Sequence, residues 1–125
     1  MAVRTKRVYE PASADDGYRV LVDRVWPRGV RKEDAAIDEW AREVAPSTEL
    51  RKWFAHKPER FAQFRRRYRD ELNAREVEVK TLRARGRKGT VTLLFGARDP
   101  KHNNAVVLAE VLGASSDLAF ALARA

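Results

Sequence analysis

The feature that most constrains the fold is a pair of short apolar runs, each followed at once by charged residues. Residues 90–95, TVTLLF, and residues 18–25, YRVLVDRV, are rich in valine and leucine. Runs of this kind are typical of strands that are covered on both faces, as in parallel sheets. Residues 5–9 form a further short strand pattern. Because helical patterns separate the strands, the sequence predicts an α/β fold: a three-layer sandwich with a small, mostly parallel sheet flanked by helices.

Periodic apolar residues predict the helices. Phe61, Phe64, Tyr68 and Leu72 recur at spacings of three and four, which places them on one face of a helix that begins at Pro58. Ser47 or Thr48 is a predicted N-cap for a helix that runs through residue 55. Further helices are predicted over residues 75–85, from Asn103 or Asn104 to a stop at Gly113, and over residues 118–122.

Two regions are less regular. Residues 32–37 fit a helical turn, and residues 38–45 either continue it or are extended, because Trp40 and Val44 fit both periods. Gly86 and Gly89 are predicted to bracket a basic turn.

Length and composition narrow the class of protein. The 125 residues fit one domain that spans 1–125. The absence of cysteine excludes disulfides, thiolate chemistry and cysteine-ligated metals, and two distant histidines predict no metal site. No apolar run approaches the roughly 20 residues of a membrane span. No apolar segment follows the basic N-terminal residues, so we expect a cytoplasmic protein without a signal peptide or a membrane partner.

Positive charge is concentrated in one third of the chain. The net charge is +8, and residues 51–88 hold 14 Lys or Arg against five acids. One interpretation is a nucleic-acid-binding surface, and the other is a solvated helical surface. Two i,i+4 ion pairs, Arg66–Asp70 and Arg67–Glu71, are predicted to neutralise part of the charge. The residues predicted to contact nucleic acid are Arg60, Arg65, Arg66, Arg67 and Arg69.

Three ordered blocks carry a resemblance to a known family. They are residues 16–29 (DGYRVLVDRVWPRG), 45–54 (APSTELRKWF) and 98–108 (RDPKHNNAVVL). Together they resemble YeaO-like proteins, a branch of the domain of unknown function 488 family, over about residues 3–112. The resemblance implies a small bacterial α/β protein with no established activity. More distant members often carry Cys-His-Arg after the last core strand. This chain has Lys101-His102-Asn103-Asn104 there, which excludes thiol chemistry of that kind.

Ligands of open α/β sheets bind beyond the carboxyl ends of parallel strands. The candidate residues at two such ends are Arg24, Trp26, Arg28 and Gly29 after the second strand, and Arg98, Asp99, His102 and Asn103 after the third. If the two strands are parallel neighbours, these residues converge on one crevice.

The candidate ligand is a small anion that bears phosphate or carboxylate. Arg24 and Arg28 carry forked donors that match both groups, and Gly29 allows the backbone to approach an oxyanion closely. A helix that starts near Asn103 offers free backbone N–H groups. Trp26 and Arg98 are included as contacts to the same ligand. The alternative is an internal ion-pair set, in which Arg24 or Arg98 pairs with Asp23 or Asp99.

A catalytic role depends on His102, whose side chain titrates near neutrality, with Asp99 orienting it. A capping or surface role for His102 is the alternative. His56 is predicted to cap the negative end of the preceding helix, and Trp40 and Trp53 are predicted to be core residues. No glycine-rich phosphate loop, Gly-x-Ser-x-Gly or His-Glu-x-x-His occurs, which argues against the familiar hydrolase and nucleoside-triphosphate sites. The sequence assigns neither a reaction nor a cofactor.

Overall fold

In the part of the chain that the structure describes, the sheet has four strands, and all of them are parallel. The computed structural model describes residues 2–113. The strands are β1 (Val3–Arg7), β2 (Tyr18–Leu21), β3 (Glu39–Trp40) and β4 (Val91–Phe95), in the spatial order β1-β4-β2-β3. The predicted α/β fold with a mostly parallel sheet is therefore confirmed, and β2 and β4 are direct neighbours.

Five helices accompany the sheet within residues 2–113. None of them, within residues 2–113, is long and apolar enough to cross a membrane. Three short 3-10 turns add to them at Ala14–Asp16, Arg42–Val44 and Pro58–Arg60. The helices are α1 (Lys32–Ala35), α2 (Thr48–Phe54), α3 (Phe61–Asn73), α4 (Glu76–Lys88) and α5 (Asn104–Leu112).

The main core lies between one face of the sheet and the long helices. Alternate residues of β4, Val91, Leu93 and Phe95, belong to it, since successive side chains of a strand point to opposite faces. Phe64 of α3 and Leu108 of α5 are buried in the same cluster. This packing fixes α3 and α5 against β4, and the start of α5 therefore lies near the ends of β2 and β4.

The opposite face of the sheet is covered by the segment that joins β2 to β3. Val8, Leu21 and Leu94 form a second buried cluster, and Trp26 and Trp40 pack against it. The covering layer is thin because it consists of a loop and the single turn of α1. It carries the loop 23–30 along the edge of the sheet where β2 and β4 end.

Local side-chain bonds set the ends of the helices. Ser47 is the N-cap of α2, and its hydroxyl accepts a hydrogen bond from the N–H of Leu50. Asn103 is the N-cap of α5, and its side chain accepts from the N–H of Val106. Gly113 ends α5 in the left-handed conformation, at φ 119°. These ends agree with the sequence predictions.

Several predicted boundaries were wrong. β1 ends at Arg7 rather than at residue 9, because a turn closes between Arg7 and Glu10. β2 ends at Leu21 rather than at residue 25, because the N–H of Gly96 donates to the side chain of Asp23 and not to a backbone carbonyl of that strand. Gly86 lies inside α4, so the predicted basic turn is the last turn of that helix. The predicted helix 118–122 lies outside the described residues.

The ambiguous region 31–45 combines both alternatives. α1 is a single turn that ends at Ala36 in the left-handed conformation, and the chain then becomes extended in β3. Trp40 in β3 and Trp53 in α2 are half-buried at the margins of the two apolar clusters.

Candidate functional site

A cleft of about 730 Å³ lies beyond the carboxyl ends of β2 and β4. Its volume is within the range of small-molecule sites. Three separate parts of the chain line it, at residues 23–28, 46–64 and 96–104. The parallel pairing of β2 with β4 brings the first and third parts together, and α2 and α3 close the cleft from the side of the main core.

The mouth of the cleft is basic. Its exposed polar residues are Arg28, Arg51, His56 and Arg98, and the carboxylate of Asp99, whose side chain is 37% exposed, lies in the same lining. Within residues 2–113, the three guanidinium groups make no hydrogen bond or ion pair. Their fork of donors is therefore available to a carboxylate or a phosphate.

The floor of the cleft is apolar. Phe54 of α2 and Phe64 of α3 are buried there with their rings stacked, at 4.4 Å between centroids. Pro27 and Pro46 are also buried in the lining. A ligand that reaches the floor exchanges water for aromatic and aliphatic carbon.

Asp23 lines the cleft, is only partly exposed, and joins three parts of the chain. One carboxylate oxygen accepts from the N–H of Gly96 at 2.8 Å, and the other accepts from Nδ2 of Asn104 at 3.1 Å. Nδ2 of Asn104 also donates to the carbonyl of Val22 at 2.9 Å. Burial raises the pKa of Asp23, while the bonds from Gly96 and Asn104 and the nearby side chains of His56 and Arg51 act in the opposite direction. Sequence analysis considered Asp23 only as an ion-pair partner.

Arg24 lines the cleft, but two of its nitrogens donate hydrogen bonds to backbone carbonyls. Its Nε donates to the carbonyl of Pro46 at 2.9 Å, and one terminal nitrogen donates to the carbonyl of Ala45 at 3.2 Å. Tyr68 donates to the neighbouring carbonyl of Val44. These bonds fix the segment that leads into α2. The predicted alternative, in which Arg24 or Arg98 pairs with Asp23 or Asp99, is wrong for residues 2–113, because none of those ion pairs forms.

Trp26 forms a wall of the cleft and is held from behind. Its ring meets that of Trp40 edge-on, at 5.2 Å between centroids, and its indole N–H donates to the carbonyl of Val30 at 2.7 Å. Gly29 supplies the turn that the loop needs, at φ 78°, but does not itself line the cleft. The loop is held at its other side by Tyr9, whose hydroxyl donates to the carbonyl of Arg28 at 2.8 Å.

Asp99 and His102 form the pair that the sequence suggested. Nδ1 of His102 lies 2.7 Å from a carboxylate oxygen of Asp99. The N–H of Lys101 and the imidazole of His102 hold the pKa of Asp99 below its usual value. However, the His102 ring packs edge-on against Phe61, at 5.1 Å between centroids, and is not part of the cleft lining. Only Asp99 of the pair lines the cleft.

The two asparagines at the start of α5 have different tasks. Asn103 is buried, and both ends of its amide are used: Oδ1 caps Val106, and Nδ2 donates to the carbonyl of Asp99 at 2.9 Å. Asn104 is the residue that supports Asp23. The sequence analysis considered Asn104 only as an alternative N-cap of α5. No sequence pattern signals its contact with Asp23.

Sequence analysis also missed Arg51 and His56 as cleft residues. Ala55 and His56 both have left-handed backbones, at φ 49° and 56°, and this reverses the chain after α2. His56 therefore lines the cleft and, within residues 2–113, forms no hydrogen bond to the end of α2. Consecutive left-handed residues that are not glycine are uncommon, and Ala-His carries no sequence signal for them.

The basic surface of α3 is largely engaged with the protein itself. Arg65 and Arg69 both bind Glu110, at 2.8 and 2.9 Å. Arg60 and Arg67 lie over the ring of Trp53, at 5.2 and 4.9 Å from its centroid. Of the five arginines that were predicted to contact nucleic acid, only Arg66 has no such contact within residues 2–113.

The two predicted i,i+4 pairs of α3 do not occur among the ion pairs of residues 2–113. Glu71 instead accepts hydrogen bonds from the backbone N–H and the hydroxyl of Ser47, at 2.7 and 2.6 Å. No group of three or more His, Cys, Asp or Glu side chains in this part of the chain is arranged to hold a metal ion.

Comparison with known proteins confirms the resemblance to YeaO-like proteins. YeaO of Escherichia coli (strain K12), an uncharacterized protein, is 49% identical over 112 residues, which make up 90% of this chain and 97% of that protein. Uncharacterized proteins of Mycobacterium tuberculosis (Rv3073c) and Mycobacterium bovis (Mb3100c) are 46% identical over 110 residues, 88% of this chain and 92% of theirs. No solved structure matches the chain. Residues 2–119 match the model of the family described as the inactive DUF488-N3 subclade, and the chain belongs to that family.

Proposed function

We propose that the protein binds a small anionic ligand, which bears a phosphate or a carboxylate group, in the cleft beyond β2 and β4. The observation that carries the proposal is that Arg28, Arg51 and Arg98 line one cleft and that, within residues 2–113, their guanidinium groups make no hydrogen bond or ion pair. Guanidinium groups that line one cleft repel one another, and an anion that accepts hydrogen bonds from them relieves that repulsion.

The surroundings of the mouth strengthen this attraction. The apolar floor around Phe54 and Phe64 excludes water and lowers the local dielectric constant, so that a charge at its edge is screened less than in bulk solvent. The positive charge of residues 51–88 adds a field of the same sign, which increases the rate at which anions arrive.

Binding without turnover fits the site better than catalysis does. Within the described residues, no serine, threonine or tyrosine lines the cleft. The imidazole in the lining is that of His56 at the exposed mouth, whereas the ring of His102 packs against Phe61. The family description, which calls the subclade inactive, supports the same proposal. On this proposal the Asp99–His102 pair stabilises the loop that carries Arg98 and takes no part in proton transfer.

Calorimetric titration of the full chain with inorganic phosphate, phenyl phosphate and benzoate tests the proposal. We expect saturable binding of at least one of these anions, with one site per chain. Arg28→Ala, Arg51→Ala and Arg98→Ala should each weaken it about tenfold or more, because each removes a charge-assisted hydrogen bond of about 1.5–3 kcal/mol.

Arg66→Ala is the matched control, because it removes an exposed arginine that lies outside the cleft. Its affinity should stay within about twofold of the original, since a distant surface charge is screened by salt. The proposal is wrong if none of the three anions binds saturably, or if Arg66→Ala weakens binding as much as the cleft variants do.

A further inference from the structure

We infer that the ligand enters the cleft with its body first, that its anionic group stays at the mouth, and that an N–H or O–H on its body donates a hydrogen bond to Asp23. The ligand class is therefore an anion with a largely apolar or aromatic body that carries at least one hydrogen-bond donor. The inference depends on the proposed function and specifies the ligand class of the same site.

The order of burial along the cleft gives the orientation. The arginines of the mouth are exposed, whereas Phe54 and Phe64 at the floor are only 6% and 1% exposed. A phosphate or carboxylate retains part of its hydration at the mouth, and moving it to the aromatic floor removes that hydration without an arginine to replace it. An apolar body gains free energy from the same burial. The two ends of the cleft therefore select opposite ends of the ligand.

Asp23 supplies the polar contact inside. Each of its oxygens accepts one hydrogen bond from the protein, from Gly96 and from Asn104. A carboxylate has about four acceptor positions, so capacity for a further donor remains. Within residues 2–113, no side chain other than Asn104 donates a hydrogen bond to the carboxylate of Asp23. The ligand is the remaining source of a donor once water has been displaced from the cleft.

The close packing around Asp23 limits how it can respond. A Cβ atom at Gly96 would lie 3.2 Å from Oδ2 of Asp23, so this side of the carboxylate is already in contact with the backbone. Asn104 holds the other oxygen and is itself fixed through Val22. The carboxylate cannot rotate away from a ligand without breaking these bonds. A ligand body without a donor would displace water from the carboxylate and offer no hydrogen bond in return.

Matched pairs of phosphate monoesters test the inference with the full chain. The probes are meta- and para-aminophenyl phosphate, whose amino groups are uncharged at neutral pH, and the corresponding tolyl phosphates, in which a methyl group replaces the amino group. A purely apolar cleft prefers the tolyl esters, because methyl gains more than amino from burial. If Asp23 accepts a hydrogen bond from the ligand, at least one aminophenyl ester should bind about tenfold more tightly than its tolyl partner, as measured by calorimetry.

Asp23→Asn should reduce that preference to about threefold or less, because a neutral acceptor bonds less strongly than a charged one. If this variant does not fold, the ligand pairs still decide the question with the unmodified chain. Equal or tighter binding of both tolyl esters overturns the inference, as does an undiminished amino preference in folded Asp23→Asn. Failure of all esters, of inorganic phosphate and of benzoate to bind overturns the proposed function instead.

Discussion

The buried charge cluster around Asp16 allows a direct test by the substitution Asp16→Asn. Asp16 and Arg19 are 2% and 4% exposed, and the carboxylate of Asp16 binds the guanidinium of Arg19. Lys6 lies 3.1 and 3.2 Å from the two carboxylate oxygens, and the N–H of Ser13 donates to one of them at 3.0 Å. The substitution keeps the size of the side chain and removes its charge.

The expected loss of stability follows from this geometry. Burial acts to raise the pKa of Asp16, but the bonds from Ser13, Lys6 and Arg19 outweigh it, and the pKa lies below its ordinary value. Removing one partner of a buried ion pair typically costs about 3–5 kcal/mol. Because asparagine keeps one acceptor oxygen, we expect Asp16→Asn to lower the free energy of unfolding by about 3 kcal/mol at neutral pH.

The loss should also depend on pH. A carboxyl group whose pKa is lower in the folded state stabilises the fold above its unfolded pKa, and this contribution disappears as the pH falls through the folded value. The difference between the original chain and Asp16→Asn should therefore be constant near neutrality and shrink below about pH 4. Urea unfolding, followed by circular dichroism at several pH values, measures it.

Asp15→Asn is the control, since Asp15 is exposed beside the cluster, and it should change stability by less than about 0.5 kcal/mol. A loss below about 1 kcal/mol for Asp16→Asn at neutral pH, or a difference that stays constant down to about pH 2, would refute the reasoning.

Three further substitutions test the packing of the fold by urea unfolding. Tyr68→Phe should cost about 1–3 kcal/mol, because the buried carbonyl of Val44 loses its donor, and a change below about 0.5 kcal/mol would contradict that role. Gly17→Ala should lose at least about 2 kcal/mol more than Gly29→Ala. Both glycines have positive φ, but a Cβ at Gly17 would collide with the carbonyl oxygen of Thr90, whereas one at Gly29 meets nothing within 4 Å. Equal losses would show that the contact with Thr90 is tolerated.

The strands and their order of appearance were predictable because apolar runs and intervening helical periods are local properties of the sequence. The ends of the strands were not, since they depend on contacts between distant residues. The early end of β2 is a clear case: Asp23 leaves the ladder because it bonds to Gly96, which lies 73 positions along the chain. No local pattern contains that pairing.

The candidate site also contains residues that sequence reasoning could find and residues that it could not. Arg28 and Arg98 were accessible to sequence reasoning, because each follows a strand and parallel strands end on one side of a sheet. Arg51 and His56 were not, because they reach the cleft only through the packing of α2 and the left-handed turn after it. The catalytic role of His102 stays a prediction: its side-chain type suggested chemistry, but the sequence could not show that its ring packs against Phe61 and lies outside the cleft lining.

The cleft is assembled from residues 23–28, 46–64 and 96–104, and no one of these segments encloses it alone. An occupant consequently acts as a noncovalent cross-link between parts of the chain that are far apart in sequence. Hydrogen exchange of β2, α2 and the first turn of α5 should slow together on binding, because each local opening would have to release the same molecule. Ligand discovery for this protein can therefore rely on a rise in the melting temperature of the whole fold, and it needs no assay of a reaction.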